Sequence, residues 1–216
     1  MINREDNIRL EGKLVQSIKL EGLVELIQDY IELGLDSVLK EGRAKDIPII
    51  GTIVNLAKIA GGVRDRLYIA KLVRFLNEVG NTTQKDRERF IEENCKDTRF
   101  EHAVLLILEQ ADNMEKATLI GKVFKACILA KITYEDAVAL SSMINKTVWQ
   151  DVVELLRDKC TYESEMRLCN CGLLTLHWMK RVHEDLTKGI VQQVAFDGFS
   201  ARENKCTKML KVAAKL

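Results

Sequence analysis

The sequence predicts a mainly α fold: a multi-helix bundle with a small C-terminal winged-helix-like subdomain containing a β-hairpin. Three observations carry this expectation. The 216 residues hold a single proline, with 47% hydrophobic and 30% charged residues, and scarce proline beside many Leu, Ile, Lys and Glu favours helix. Apolar residues recur at three- and four-residue steps as far as Lys159, the period of helices buried on one face. After Cys160 the texture changes to short runs of strand formers punctuated by glycine. The net charge of +1 is too small, and the hydrophobic fraction too high, for a disordered chain. Twelve glycines with one proline exclude collagen-like and proline-rich classes.

Residues 1–80 read as long amphipathic helices. Leu20, Leu23, Val24, Ile27, Ile31, Leu35, Val38 and Leu39 form one apolar face of a helix over Leu14 to Lys40, weakened at Gly22 and Gly34 and stopped at Gly42. An unusually apolar segment, 47–63, follows, with Pro48 suited to a first helical turn. A second amphipathic stretch, Leu67 to Val79, ends at Gly80-Asn81. Residues 81–159 read as a compact helical unit. Thr82 or Thr83 caps Gln84 to Asn94, Asp97 or Thr98 caps Phe100 to Ala111, and Asp112 or Asn113 starts Glu115 to Ala130. Thr133 with Asp136 resembles a capping box before Ala137 to Ile144, and Thr147 opens Val148 to Asp158. Residues 160–216 read as the winged-helix-like subdomain. It has a short helix around Glu163 to Leu168, strands over Gly172 to Met179 and Ile190 to Phe196, and a last helix capped by Ser200.

Three groups of residues are candidates for function. The 47–63 segment, with Ile49, Ile50, Ile53 and Lys58, reads either as a buried hairpin helix packed against Leu14 to Lys40 or as an amphipathic contact with a membrane surface or a partner. Cys169, Cys171, His177 and His183 supply four donors of the kind zinc takes, although Cys-x-Cys is not the usual spacing and core thiols with surface histidines explain the same residues. Lys205, Lys208, Lys211 and Lys215 share a side of the last helix, within a C-terminal part that has 9 Lys and Arg against 6 Asp and Glu. A solvated lysine face is the common meaning of that pattern, and a nucleic-acid surface is the alternative. The helix that would enter the major groove carries Glu163 and Glu165 against Arg167, an unfavourable charge for facing phosphate. No Gly-x-Gly-x-x-Gly, Walker loop, His-Glu-x-x-His or Gly-x-Ser-x-Gly occurs. The expectation is therefore a protein without catalysis or cofactor.

The order of elements, with Ile47 to Thr52, Cys171-Gly172-Leu173-Leu174 and Phe199-Ser200 before the last helix, resembles bacterial helical proteins of the abortive-infection alpha type, carried near prophages and phage-defence genes. The resemblance implies phage defence or phage exclusion and supplies no catalytic residues. The chain lacks a basic, apolar leader at its start, so the sequence expectation is a cytoplasmic location, extending to the periphery of the inner membrane. The expected mode of action is contact with a protein partner or self-association. The alternative is a DNA-binding transcriptional regulator using the C-terminal subdomain.

Overall fold

A computed structural model describes residues 10, 12–33, 43–56, 62–95, 98–185 and 190–216, with 33, 43, 56, 177–185 and 190–200 described by their backbone. The described residues are mainly helical, with a two-stranded antiparallel sheet near the C-terminus. The elements are α1 Lys13–Ile18, α2 Leu23–Leu33, a 3-10 turn Arg43–Asp46, α3 Pro48–Leu56, α4 Val63–Gly80, α5 Gln84–Asn94, α6 Arg99–Gln110 and α7 Met114–Ile128. They continue with α8 Tyr134–Lys146, α9 Trp149–Leu156, α10 Tyr162–Cys171, β1 Leu174–Asp185, β2 Ile190–Glu203 and α11 Lys205–Ala214. Two compact units form, Met1–Asn145 with Val212–Leu216, and Lys146–Lys211. Among the described residues no helix is long and apolar enough to cross a membrane.

The core of the first unit lies between α4 and α7. Phe75 and Phe124 meet edge to face at 5.5 Å, and Phe100 joins Phe124 at 6.2 Å and Phe90 at 5.6 Å, the geometry that aromatic quadrupoles favour. Gly121 is what lets α7 approach α4: a Cβ there would stand 2.8 Å from Glu78 Cβ and 3.1 Å from the Phe75 carbonyl. The caps expected from sequence at Thr83, Asn113 and Thr133 form, with bonds of 3.2 Å from Asp86 N–H, 2.8 Å from Lys116 N–H and 3.1 Å from Asp136 N–H.

The single helix expected from Leu14 divides instead into α1 and α2. Gly22 adopts φ +66, a conformation glycine takes without strain, and both ends of α1 are bound by the core. Glu101, 3% exposed, accepts the N–H groups of Gly12 at 2.5 Å and Val15 at 2.9 Å. Arg87, 4% exposed, donates to the carbonyls of Ile18 at 2.7 Å and Leu20 at 2.9 Å, and to those of Gly80 at 3.2 Å and Thr82 at 2.5 Å. The stretch 34–42, including the expected stop at Gly42, lies outside the described residues. Helix α3 packs on α1, where Ile49 N–H donates to Ser17 Oγ at 3.0 Å inside the core.

In the second unit, buried Asp151 near the start of α9 holds Arg167 of α10 in a bidentate pair at 2.8 and 2.7 Å. Thr161 and Ser164 form a capping box on α10, and Gly172, at φ 88, ends it. The helix expected to open at Thr147 starts at Trp149, with Val148 at the N-cap and no side-chain cap, and the Thr147 hydroxyl donates to Cys171 Sγ at 3.1 Å. The hairpin is longer than the sequence suggested. Leu174 pairs with Glu203 and Asp185 with Ile190. Ser200 therefore lies within β2, and Asn204 caps α11, with Asn204 and Thr207 exchanging bonds of 3.1 and 3.2 Å.

Two stability measurements follow. Arg87→Ala leaves four carbonyls short of a charged donor, and urea denaturation should show a loss of at least about 3 kcal/mol, with Arg87→Lys recovering only part of it. Helix α7 ends in a Schellman motif, Ala130 N–H to Cys127 O at 2.8 Å and Lys131 N–H to Ala126 O at 2.9 Å, with Ala130 at φ 54. Ala130→Gly removes the left-handed penalty and should raise stability by roughly 0.5–1 kcal/mol in the same assay.

Candidate functional site

The N-terminal half of α4 departs from the pattern of its C-terminal half. Ile69, Leu72, Val73, Leu76 and Val79 keep helical phase and are buried. Val63 and Leu67, one turn apart, point away from that stripe and are 73% and 49% exposed. They border a surface cleft of about 410 Å³ between α4 and α6. Tyr68 forms its inner wall and donates its hydroxyl to the Leu105 carbonyl at 3.3 Å. Lys71 donates to the Glu109 carbonyl at 3.3 Å, and Arg64 pairs with the Glu109 carboxylate at 2.9 Å. Asp65 completes the rim.

Electrostatics follow from this partial burial. Burial lowers the Lys71 ammonium below the usual lysine range, against the Asp112 and Glu109 carboxylates that act to raise it. Burial, followed by the Glu109 carboxylate, raises Tyr68. The cleft therefore offers two aliphatic side chains, a neutral phenol, and cationic and anionic groups at the rim. Such a surface can recognise an apolar group flanked by charge.

The residues singled out by sequence are placed as follows. Ile49 and Ile50 are fully buried and Ile53 is half-buried, while Lys58 lies outside the described residues. Cys169 and Cys171 lie on α10, where two residues apart means about 200° around the helix. Cys171 Sγ donates to the Leu168 carbonyl at 3.2 Å, and burial pushes the Cys169 thiol up. His177 and His183 stand on β1 opposite Ser200 and Gln193. Among the described residues no three His, Cys, Asp or Glu side chains gather as a metal site would require. Lys205, Lys208 and Lys215 are exposed, whereas Lys211 is drawn into ion pairs with Asp158 and Glu203, which raise it.

Sequence reasoning missed Val63, Leu67 and Tyr68 as a surface feature because it reads Leu67 only as the first apolar residue of an amphipathic stretch. The phase was a usable signal: Leu67 stands about 200° from Ile69 on an α-helix. Glu109 carried no sequence signal, since only the packing of α6 on α4 brings it there. Comparison with protein-family models, with curated proteins and with solved structures finds no significant match to this chain.

A pH dependence is built into the same unit. Burial, followed by Glu135 and Asp136, pushes the Cys127 thiol up to about 12, and Tyr68 is raised as well. An acid whose folded pKa is raised contributes stability that is complete below its unfolded value, about 8.5 for a thiol. That stability is lost as pH rises towards the folded value, because the unfolded chain releases the proton first. Urea midpoints should fall from about pH 9 upward, and Cys127→Ala should flatten the fall by up to roughly 1.4 kcal/mol per pH unit.

Proposed function

We propose that this chain is a non-enzymatic interaction protein that works by contact with a partner protein, and that the α4–α6 cleft is the contact surface. The observation supporting this most is the exposure of Val63 and Leu67 at the mouth of a cleft whose rim carries Arg64, Lys71, Asp65 and Glu109. Single exposed aliphatic residues are ordinary on a protein surface. Two of them a turn apart, against a cleft with a polar rim, match the anatomy of a partner pocket. The occupant this chemistry suits is a segment presenting an aliphatic side chain to Leu67 and a carboxylate to Lys71.

The architectural resemblance supplies the setting for this reading, phage defence or phage exclusion in a bacterial cell. A peripheral membrane contact through α3 would require Ile49 and Ile50, both buried, to leave the core. Protein contact is therefore favoured over it. The regulator alternative rests on Lys205, Lys208 and Lys215, with Lys211 engaged by two carboxylates, and ranks second.

Val63→Asp with Leu67→Asp tests the reading, since both residues are exposed and their replacement spares the core. A partner captured by the wild type, identified and purified, should bind the double variant about 30-fold or more weakly, the loss typical of a truncated hot spot. Equal affinity sinks the cleft reading. Bacteria expressing the wild type should yield fewer phage plaques than bacteria expressing the double variant, and equal plaque counts against a broad phage panel remove the defence reading.

A further inference from the structure

Strands β1 and β2 form a sheet of two strands only, so among the described residues each has one edge with no neighbouring strand. A two-stranded ribbon is marginal by itself, and a sheet of three or more strands gains independent stability. The two edges differ. Between Trp178 and Lys180 on β1, the partner residues on β2 step from Phe199 to Phe196. Between His183 and Asp185 they step from Gln193 to Ile190. Both inserted residues therefore belong to β2, whose edge is interrupted by bulges, the usual protection of an exposed strand. β1 keeps an uninterrupted alternation over Leu174–Asp185.

The β1 sequence also carries a charge pattern that reads its own reverse. Lys180-Arg181 precedes Val182-His183, and Glu184-Asp185 follows. A two-fold axis normal to a sheet pairs residues of equal parity on antiparallel strands, so the axis passes midway between one residue and its own copy. With the two Val182 residues paired across the axis, Lys180 stands opposite Glu184 of the second copy, and Arg181 is diagonal to Asp185 of the second copy. Both relations recur by symmetry. Opposite charges at directly paired positions stabilise an antiparallel ladder, and like charges destabilise it.

We propose that a second copy of this chain docks on β1, edge to edge and antiparallel about Val182, to make a four-stranded sheet β2-β1-β1-β2. A two-fold contact must be self-complementary, and this strand is complementary to itself in charge. The surface is distinct from the α4–α6 cleft, and the inference stands or falls apart from the partner reading.

Light-scattering chromatography of the full chain over a concentration series at low salt tests it. The wild type should approach twice the 24.6 kDa chain mass. Lys180→Glu with Arg181→Glu should weaken the dimer by about tenfold or more, as should Glu184→Lys with Asp185→Lys, because each makes the strand repel its copy. Mixing the two variants should restore a mass of two chains, since acidic strand then meets basic strand, a recovery that misfolded protein cannot give. Val63→Asp with Leu67→Asp should dimerise as the wild type does. A wild type that stays monomeric at high micromolar concentration overturns the proposal. So does a dimer indifferent to both charge sets, or a mixture that fails to pair.

Discussion

The N-terminal part of the first unit hangs on one guanidinium group. Arg87 spreads four hydrogen bonds over the carbonyls of Ile18, Leu20, Gly80 and Thr82. Arginine is the side chain whose planar fork of five donors suits this task. Two helices end at this point, α1 at Ile18 and α4 at Gly80, and the negative ends of their dipoles converge on the buried cation. Burial lowers the Arg87 pKa relative to an exposed arginine. Six residues are far too few for a helix to persist alone. Helix α1 exists because Arg87 binds its end and Glu101 its beginning, and α3 docks on the surface α1 then presents, through Ser17 and Ile49.

This dependence explains which parts of the fold were legible in the sequence. The caps at Thr83, Asn113 and Thr133, and the buried stripe of α4, are local: hydroxyl, amide and apolar spacing act within a turn or two. The break between α1 and α2 is not local. Glu21-Gly22 reads as a weakened helix interior until Arg87, 69 residues from Ile18, captures the carbonyls that a continuing helix would have used. The hairpin was recognised by its strand formers, but its length was not, because cross-strand pairing extends the ladder past Phe196 to Glu203.

The candidate sites divide in the same way. A dense apolar run such as 47–63 serves a core helix or an interfacial one equally well, and only tertiary packing buries Ile49 and Ile50. The lysine pattern of α11 is correct as a helical face, but Asp158 and Glu203, from a helix end and a strand end, withdraw Lys211 from it. Asp158 takes up that position at φ 55 as the left-handed residue closing α9, with Lys159 N–H on the Glu154 carbonyl at 2.9 Å. A position that glycine usually fills thus supplies a carboxylate for an ion pair.

Helix α4 joins the two themes. Its C-terminal half is committed to the core by Phe75, Leu76 and Val79, by the close approach at Gly121, and by the carbonyl of Gly80 on Arg87. Its N-terminal half starts at Gly62 without a side-chain cap and meets α6 mainly through polar groups, Tyr68 to a carbonyl and Arg64 to a carboxylate. An 18-residue helix is about 27 Å long, so Val63 and Leu67 stand at the end far from the Arg87 and Gly121 contacts while Tyr68 and Arg64 hold that end to α6. A rigid support lowers the entropy lost when a partner orders against it. The interactions that hold the fold and the surface proposed for a partner are thus two ends of one helix.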